Sequence, residues 1–221
     1  MSKIVHPYAH RLIILRDWKS RWFADPKQYV KFLKGDVLLR EYLEKKLRGM
    51  YVSGIEIERN QKTTRFIIKT SRPGILIGRN GEGATKLKED ILKKMDKLKL
   101  PRPDDFKLEV FEITNPEADA SIVAYMVAEG LEKRMPYRRV VKQVLEKVMQ
   151  AHGVEGARIV LGGRLGGAEI ARTEELKRGS IPLQTFRADI DFKRERATLA
   201  YGVIGIKVWI YRGKVFAPKA K

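Results

Sequence analysis

Four stretches of the chain carry apolar residues at every third or fourth position, and this spacing predicts amphipathic helices. The predicted helices run from Asp36 to about Gly49, from Glu82 to about Leu98, from Ile122 to Leu131 and from Pro136 to Val148. The first is the best marked, because Asp36 is a suitable N-cap and Gly49 a suitable C-terminal stop. Each helix has one apolar face, which needs a sheet or another helix to cover it.

Shorter stretches alternate between apolar and polar residues or are rich in β-branched residues, and these predict strands. They cover residues 54–58, 64–69, 106–110, 157–161, 186–192 and 204–210. In the first half the order is helix, strand, strand, short helix, helix, strand. In the second half, two helices precede a run of strands. The pattern predicts an α+β protein of two units, the second with two helices packed on a mostly antiparallel sheet.

A loop bounded by glycines, Gly78-Arg79-Asn80-Gly81, leads into the lysine-rich helix that carries Lys86. Glycine lets a phosphodiester approach the backbone closely, the helix start favours anions, and Arg79 adds a positive charge. An ordinary turn before a helix is the alternative, and the loop alone does not decide between the two. The surrounding order α-β-β-α-α-β is that of a type II KH domain, which favours a loop that grips a nucleic-acid backbone.

A second candidate for nucleic-acid contact lies on the fourth predicted helix. Arg138, Arg139 and Lys142 fall on one arc, roughly opposite the apolar stripe by the 3.6-residue period. A solvated charged face is the common interpretation of such a cluster. Because Arg134 lies nearby and the arc carries no acidic residue, we favour a nucleic-acid contact.

A glycine-rich segment between two predicted strands is a third candidate. It contains Arg164 among four glycines and is followed by Arg172. Backbone and guanidinium groups in such a loop can meet phosphates. The alternative is a loop that caps a short helix directly after it. Arg187, in the next predicted strand, completes the set of candidate RNA contacts.

The predicted organisation is an N-terminal arm (residues 1–16), a type II KH domain with an N-terminal helical extension (17–114, core about 38–113), a C-terminal α+β domain (115–212) and a basic tail (213–221). The arm is expected to need a partner that orders it. Trp18 and Trp22 are expected to share a helical face. We expect Trp22 and Phe23 to pack on the protein's own core, although base stacking and membrane contact are alternatives.

The net charge indicates a polyanionic partner. The 221 residues carry a formal charge of +19, distributed as +7 over residues 1–50, +5 over 51–110 and +7 over 111–221. Charge on every segment favours nucleic acid, with an anionic membrane as the second candidate. No apolar run reaches the roughly 18 residues that span a bilayer, and no signal-peptide pattern is seen. We therefore predict no membrane association.

The chain contains no cysteine and only three histidines. Disulfides and thiolate zinc sites are therefore excluded, and a reducing compartment is expected. His6 and His10 flank Pro7, which disfavours a helical pair of metal ligands. No cofactor and no metal site are predicted.

An enzyme acting on nucleic acid is a different class of function. Asp189 and Asp191 share a strand face and, with Glu195, have the chemistry to hold Mg²⁺ in a nuclease. Ion pairs with basic residues beside them are the favoured interpretation, namely Arg187, Lys193 and Arg194. A free KH regulator is another alternative, whereas a KH-bearing GTPase is excluded because no GxxxxGK[ST] loop occurs.

Five stretches resemble the family of the bacterial small-subunit ribosomal protein S-three, the universal uS-three family. They are DWKSRWFA (17–24), SRPGILIGRNG (71–81), GRLGGAEIARTE (163–174), RADID (187–191) and YGVIGIKVWI (201–210). The third and fifth are far more specific than the glycine loop. Because the stretches run from the arm nearly to the C-terminus, the resemblance covers almost the whole chain.

This resemblance implies a non-catalytic protein of the small-subunit head that binds small-subunit rRNA in the cytoplasm. It implies that Arg138, Arg139 and Lys142 hold incoming mRNA at the entrance and help to open its structure. The glycine loop is then expected to face nucleic acid as well. The implied protein neighbours are the tenth and fourteenth small-subunit proteins in the head and the fourth and fifth at the mRNA entrance.

Three residues depart from the family pattern. Asn80 stands where a basic residue is usual, which predicts a weaker hold on phosphate. Gly83 and Ala84 stand where the family more often has a helix former and a larger aliphatic residue. Because glycine costs up to about 1 kcal/mol in a helix, the first turn is expected to be soft.

Overall fold

In a computed structural model the described residues are 5–60, 62–100 and 105–216. Residues 1–4 of the arm, the prolines 101 and 103, and residues 217–221 of the tail lie outside them. Contacts divide the chain into two units, one made of residues 18–114 and the other of 1–17 with 115–221. None of the helices in the described ranges is long and apolar enough to cross a membrane.

Helices and strands are mixed in the first part of the chain, and the last four strands follow one another without an α-helix between them. The helices are α1 (Pro7–His10), α2 (Pro26–Lys46), α3 (Pro73–Ile77), α4 (Glu82–Lys97), α5 (Ala120–Glu132) and α6 (Tyr137–Gln150). The strands are β1 (Ser20–Arg21), β2 (Val52–Arg59), β3 (Thr63–Thr70), β4 (Asp105–Glu112), β5 (Gly156–Gly163), β6 (Arg172–Gly179), β7 (Ala188–Leu199) and β8 (Gly202–Lys214).

The unit of residues 18–114 has a four-stranded sheet in the order β1-β2-β3-β4. β2 and β3 are antiparallel, whereas β4 runs parallel to β3 and β1 parallel to β2. Apolar residues of α2 and α4 pack with the sheet in one core, including Leu39, Leu43, Ile91 and Met95. The predicted type II KH order of helices and strands is confirmed.

The prediction that Asp36 caps a helix is wrong. α2 begins ten residues earlier at Pro26, and Asp36 is buried within it, with 1% of its surface exposed. Its carboxylate accepts hydrogen bonds from Arg59 Nη2 at 2.5 Å and from Trp22 Nε1 at 2.7 Å. The aspartate therefore forms a buried ion pair with Arg59. The hydrogen bonds from Arg59 and Trp22 offset the free-energy cost of burying its charge.

The segment before α2 is extended where a helical face was expected. Ser20 and Arg21 pair with Ile57 and Glu58 of β2. Trp22 packs its ring 5.1 Å from that of Tyr29 and is partly buried, as expected. Phe23 is 95% exposed, so the expectation that it packs on the core is wrong.

The second unit contains a fully antiparallel four-stranded sheet in the order β6-β5-β8-β7. Helices α5 and α6 cover one face, and their aliphatic residues share a core with the inward residues of β5 and β8, such as Ile159 and Val208. Asp119 caps α5 by accepting from the backbone N–H groups of Ser121 and Ile122. The prediction of two helices on a mostly antiparallel sheet is confirmed.

One strand was not predicted. The alternative interpretation of the glycine-rich loop placed a short helix after it, but this segment forms β6, which pairs with β5 from Gly156↔Gly179 to Gly163↔Arg172. β6 is the sheet edge and all of its residues except Glu174 are exposed. A charged edge strand has no apolar alternation, since neither of its faces is fully covered, and charge at an edge also discourages pairing with other chains.

The N-terminal segment packs on the second unit, through its contacts with the face of the sheet opposite the helices. Arg11 is fully buried and Nε donates to the carbonyl of Ala188 at 2.6 Å. Its other nitrogens donate to the carbonyls of Pro7, Pro182, Leu183 and Thr185. Burial lowers the pKa of the Arg11 guanidinium, and the charge of Asp189 opposes that shift. The buried arginine thus ties the segment to this unit.

Candidate nucleic-acid interface

The loop between α3 and α4 has a backbone that only certain residues adopt easily. Gly78 has φ +70°, and Gly81 has φ +80° and ψ +5°. Asn80 between them is also left-handed, with φ +52° and ψ +22°. Asparagine is one of the few residues other than glycine that tolerate this region. The departure from a basic residue at position 80 is therefore matched to the backbone conformation of the loop.

Gly83 is required by a close contact between the two helices that the loop joins. A Cβ at this position would lie 2.6 Å from the carbonyl oxygen of Leu76 and 2.9 Å from that of Ile77. These are backbone atoms that cannot rotate away. The glycine that was expected only to soften the first turn of α4 therefore allows α3 and α4 to meet, and it fixes the shape of the loop.

The basic groups of this region are on the surface. Arg79 is exposed, and Lys86 is 77% exposed, with Nζ 3.8 Å from the carboxylate of Glu82 one turn earlier on α4. Surface pairs of this kind contribute little to stability. Ile75 and Ile77 beside the loop are 52% and 40% exposed. The region thus combines an accessible glycine loop, cations and an apolar surface.

Helix α6 presents the second cluster of basic residues. Its inner face buries Val140, Val141, Leu145 and Val148, and its outer face exposes Arg138, Arg139 and Lys142. The helix is thereby fixed to the sheet on one side while the cations stay in solvent. This matches the predicted arc.

The arc nevertheless has an acidic partner, contrary to expectation. Glu174 of β6 accepts from Arg138 Nη2 at 3.3 Å and from the Tyr137 hydroxyl at 2.8 Å. These two hydrogen bonds, the one from Arg138 foremost, lower the pKa of the Glu174 carboxyl. Glu174 accordingly competes with any anionic ligand for Arg138.

An open groove of about 380 Å³ runs between α6 and β6. Its apolar lining includes Val141, Leu161 and Leu176. Its charged lining includes the cations Arg138 and Lys142 and the carboxylates of Glu174 and Glu175. A groove of this size is within the range of small-ligand sites. It can receive an apolar or planar group whose attached anion meets the cations.

The three remaining candidate arginines differ in how accessible they are to a ligand. Arg164 donates from Nε to the carbonyl of Ala168 at 2.9 Å and from Nη1 to that of Tyr201 at 3.1 Å, so it braces its own loop. Arg172 is exposed at the start of β6. Arg187 is exposed and lies 5.5 Å from the ring centre of Phe216. Arg172 and Arg187 are accessible to a ligand, whereas two donors of Arg164 are already used.

The carboxylates considered for a magnesium site are ion-paired. Asp189 lies 2.6 Å from Arg16 Nη2, and Asp191 lies 2.9 Å from Arg212 Nη2 and accepts from the backbone N–H of Ala120. The partners differ from the neighbouring basic residues that were expected. In the part of the chain that the structure describes, no group of three acidic or histidine residues is placed to hold a metal ion.

Two family models match most of the chain. One, described as KH domain, matches residues 38–118, and the other, described as Ribosomal protein S3, C-terminal domain, matches residues 127–210. These matches cover α4 with its loop and α6 with its cations.

The chain is also similar to curated proteins along its full length, each of them bearing the name small ribosomal subunit protein uS3. It is 45% identical to the protein of Methylococcus capsulatus over 218 residues, which are 99% of this chain and 94% of that protein. The identity is 46% for Maridesulfovibrio salexigens, with 97% of each chain covered. It is 44% for Caldicellulosiruptor bescii, with 100% of this chain and 96% of that protein covered. None of these names refers to an enzymatic activity.

Proposed function

The chain belongs to the uS3 family of small-subunit ribosomal proteins, and from this membership we propose that it binds rRNA in the head of the subunit and holds incoming mRNA at the entrance. It acts by binding and not by catalysis. The grip on mRNA comes from Arg138, Arg139 and Lys142, which attract phosphates irrespective of base sequence. A strand held at this point resists re-pairing, which favours the opening of structured messages.

The observation that carries this proposal is the way α6 is built. Four aliphatic residues anchor one face of the helix in a core, and the opposite face holds three exposed cations. Arg139 and Lys142 have no acidic partner within hydrogen-bonding or ion-pairing distance among the described residues. Their charges are therefore available to phosphates, and the rigid helix fixes their spacing.

The glycine loop supports an RNA contact of the first unit. Gly78 and Gly81, both at positive φ, have no side chain to shield the backbone, and the exposed Arg79 follows Gly78. A phosphodiester can lie against such a backbone more closely than against side chains. With only one basic residue in the loop itself, we propose that it positions RNA more than it contributes to affinity.

The partners of the protein follow from the same proposal. They are small-subunit rRNA, mRNA, the tenth and fourteenth small-subunit proteins in the head and the fourth and fifth at the entrance, all in the cytoplasmic ribosome. Sedimentation tests this against the alternative of a free KH regulator. The tagged protein should run with small subunits in a sucrose gradient, and a pool that stays at the top would support the free regulator.

The mRNA role is tested by neutralising the cations of α6. In the triple variant Arg138→Gln, Arg139→Gln, Lys142→Gln, translation of messages with a hairpin downstream of the start codon should fall several-fold, while unstructured messages are translated normally. The matched control removes three exposed lysines of α2 by Lys27→Gln, Lys31→Gln and Lys34→Gln. Equal translation of both kinds of message by the α6 variant would contradict the proposal.

A further inference from the structure

The face of the second sheet opposite the helices is only half covered. At one end Ile190, Phe192, Trp209 and Tyr211 form a small buried cluster. The N-terminal segment packs there, with the His6 ring 4.7 Å from that of Phe192. The other end, toward Gly162 and Gly205, has no such cover from the described residues and is mostly exposed.

The uncovered end is strongly basic. Alternation along the strands puts five basic residues on this face of the sheet. Arg194, Arg196 and Lys207 lie at the uncovered end, whereas Arg158 is in register with the buried Trp209, and Lys177 with Arg158. Glu175 is the one acidic residue that the register places on the same face, and it is paired with Arg158. Arg194, Arg196 and Lys207 are exposed.

Two of these cations lie next to each other across the sheet. Arg194 of β7 pairs in register with Lys207 of β8. Neither is within salt-bridge distance of a carboxylate in the described part of the chain. Like charges directly opposite each other on a sheet destabilise the pair. An arrangement that costs stability in the isolated protein becomes favourable when an anion lies across both residues.

Beside this pair the surface is flat. Gly162 of β5 and Gly205 of β8 are directly opposite each other, and Arg196 of β7 is opposite Gly205 on the other side. A Cβ at Gly205 would meet only the Gly162 carbonyl oxygen, at an ordinary 3.7 Å. The space above the strand thus requires no glycine for folding. Strand glycines often mark a place where another backbone approaches closely.

We propose that this half-face, formed by Gly162, Arg194, Arg196, Gly205 and Lys207, binds the sugar–phosphate backbone of RNA. It is a contact additional to the glycine loop and α6, and it does not depend on the mRNA role proposed for α6. Successive cations of β7 are two residues apart, which places them about 7 Å apart along the strand. Phosphates that follow the strand can therefore meet Arg194 and Arg196 in turn while the ribose lies over the glycines.

An RNA backbone suits this surface better than an acidic protein segment. The half-face is formed by glycines and cations, and these offer little apolar area to an anchoring side chain of a protein partner. The half-face provides positive charge and allows a ligand to approach the sheet backbone closely. Phosphate contacts require only these two.

Charge removal is the first test. The double variant Arg194→Gln, Lys207→Gln is compared with Lys31→Gln, Lys34→Gln on α2, which removes the same charge. Binding of the full-length protein to purified bacterial small-subunit rRNA is measured from 50 to 300 mM KCl. Loss of two phosphate contacts should weaken binding roughly tenfold at intermediate salt and lower the magnitude of the log–log salt slope by about 1.4 to 1.8. Equal losses in the two double variants would overturn the proposal.

The second test adds a side chain over the glycines of the half-face and leaves every charge in place. Gly205→Val should fold at least as well as the parent, because the site has room and valine favours strands. It should nevertheless weaken rRNA binding several-fold by lifting the backbone off the sheet. The same change at Gly54, an open position of β2, is the control. Full rRNA affinity in Gly205→Val at unchanged stability would overturn the proposal.

A third measurement separates RNA from an acidic protein partner. Polyglutamate of similar length is offered to the parent and to the Gly205→Val variant. Loss of polyglutamate binding with unchanged rRNA binding would assign the half-face to a protein and reject the RNA proposal. All these variants keep Arg138, Arg139 and Lys142, so their results are independent of the translation assay on α6.

Discussion

The glycine loop of residues 78–81 and helix α6 both face solvent with basic groups, but they are built differently. In the loop, the backbone conformation is the distinctive feature, with three of the four residues at positive φ and a single cation at Arg79. In α6 the backbone is ordinary and three cations line its outer face. The loop should therefore be sensitive to substitutions that change shape, and the helix to those that change charge.

The largest effect is expected from Gly83→Ala. Alanine improves helix propensity by about 1 kcal/mol, but its Cβ would lie 2.6 Å from the Leu76 carbonyl oxygen. Forcing the two helices apart typically costs about 1–3 kcal/mol, and a clash with backbone belongs at the upper end. We expect a net loss of about 2 kcal/mol, measured by hydrogen exchange of α4 and β4 amides.

Gly74→Ala is the matched control for that experiment. Gly74 lies in α3, and a Cβ there would meet nothing within 4 Å. The same substitution should stabilise the unit by about 0.5–1 kcal/mol through helix propensity alone. If both variants shifted stability in the same direction, the contact between α3 and α4 would not be what determines the loop's shape.

Gly81→Ala is expected to have the next largest effect. Gly81 precedes α4 with φ +80°, where a Cβ costs about 1–2 kcal/mol although nothing lies near it. Gly81→Asn should lose clearly less, because asparagine tolerates this conformation. The two variants are compared by amide exchange and by RNA affinity. Identical losses would show that space, and not backbone conformation, limits this position.

The difference between the two regions also decides how much the sequence could predict. The apolar stripe and cationic arc of α6 repeat within one helix, so the 3.6-residue period was sufficient to predict them. The order of elements around the glycine loop was equally readable. The left-handed conformation of Asn80 and the contact at Gly83 were not, because they depend on how α3 and α4 approach each other.

Interactions between residues distant in the chain account for the wrong predictions. Asp36 was wrongly predicted to cap a helix. Its actual partner, Arg59, is 23 positions away, and a local pattern does not reveal such a pair. Glu174 was missed as a partner of Arg138, which is 36 positions away. Glu174 lies on β6, and this strand was not predicted because it has no apolar alternation. Local pattern identifies buried faces well, but it does not pair charges across elements.

A smaller effect is expected from Glu174→Gln, which probes charge at α6. The change removes the carboxylate that engages Arg138 and leaves the helix in place. Exposed pairs of this kind contribute little to stability, so the free energy of unfolding should change little, while RNA affinity should rise by no more than about fivefold. The expected gain disappears if Arg138 is replaced by glutamine in the same chain. A persistent gain would mean that Glu174 acts on RNA by general repulsion.

The pH dependence of this pair has a definite sign. Since the pKa of Glu174 is lowered in the folded protein, the pair contributes stability above the unfolded-state pKa of about 4.3 and loses it as pH falls through the folded value. The parent and Glu174→Gln should therefore converge in stability at acid pH. An NMR titration of the Glu174 carboxyl measures the shift directly, and an ordinary glutamate pKa would refute the hydrogen bond.

The smallest net effect is expected from Asn80→Lys, because here shape and charge oppose each other within the loop. Lysine supplies the basic group that position 80 lacks, which should add about 0.7 to the salt slope for single-stranded RNA. The left-handed φ of +52° penalises lysine more than asparagine, by about 0.5–1 kcal/mol. Affinity should rise at low salt and fall below that of the parent as the added charge is screened. An affinity gain that survives at high salt would show that the loop accommodates lysine without strain, and that its backbone determines less of the binding than the comparison with α6 implies.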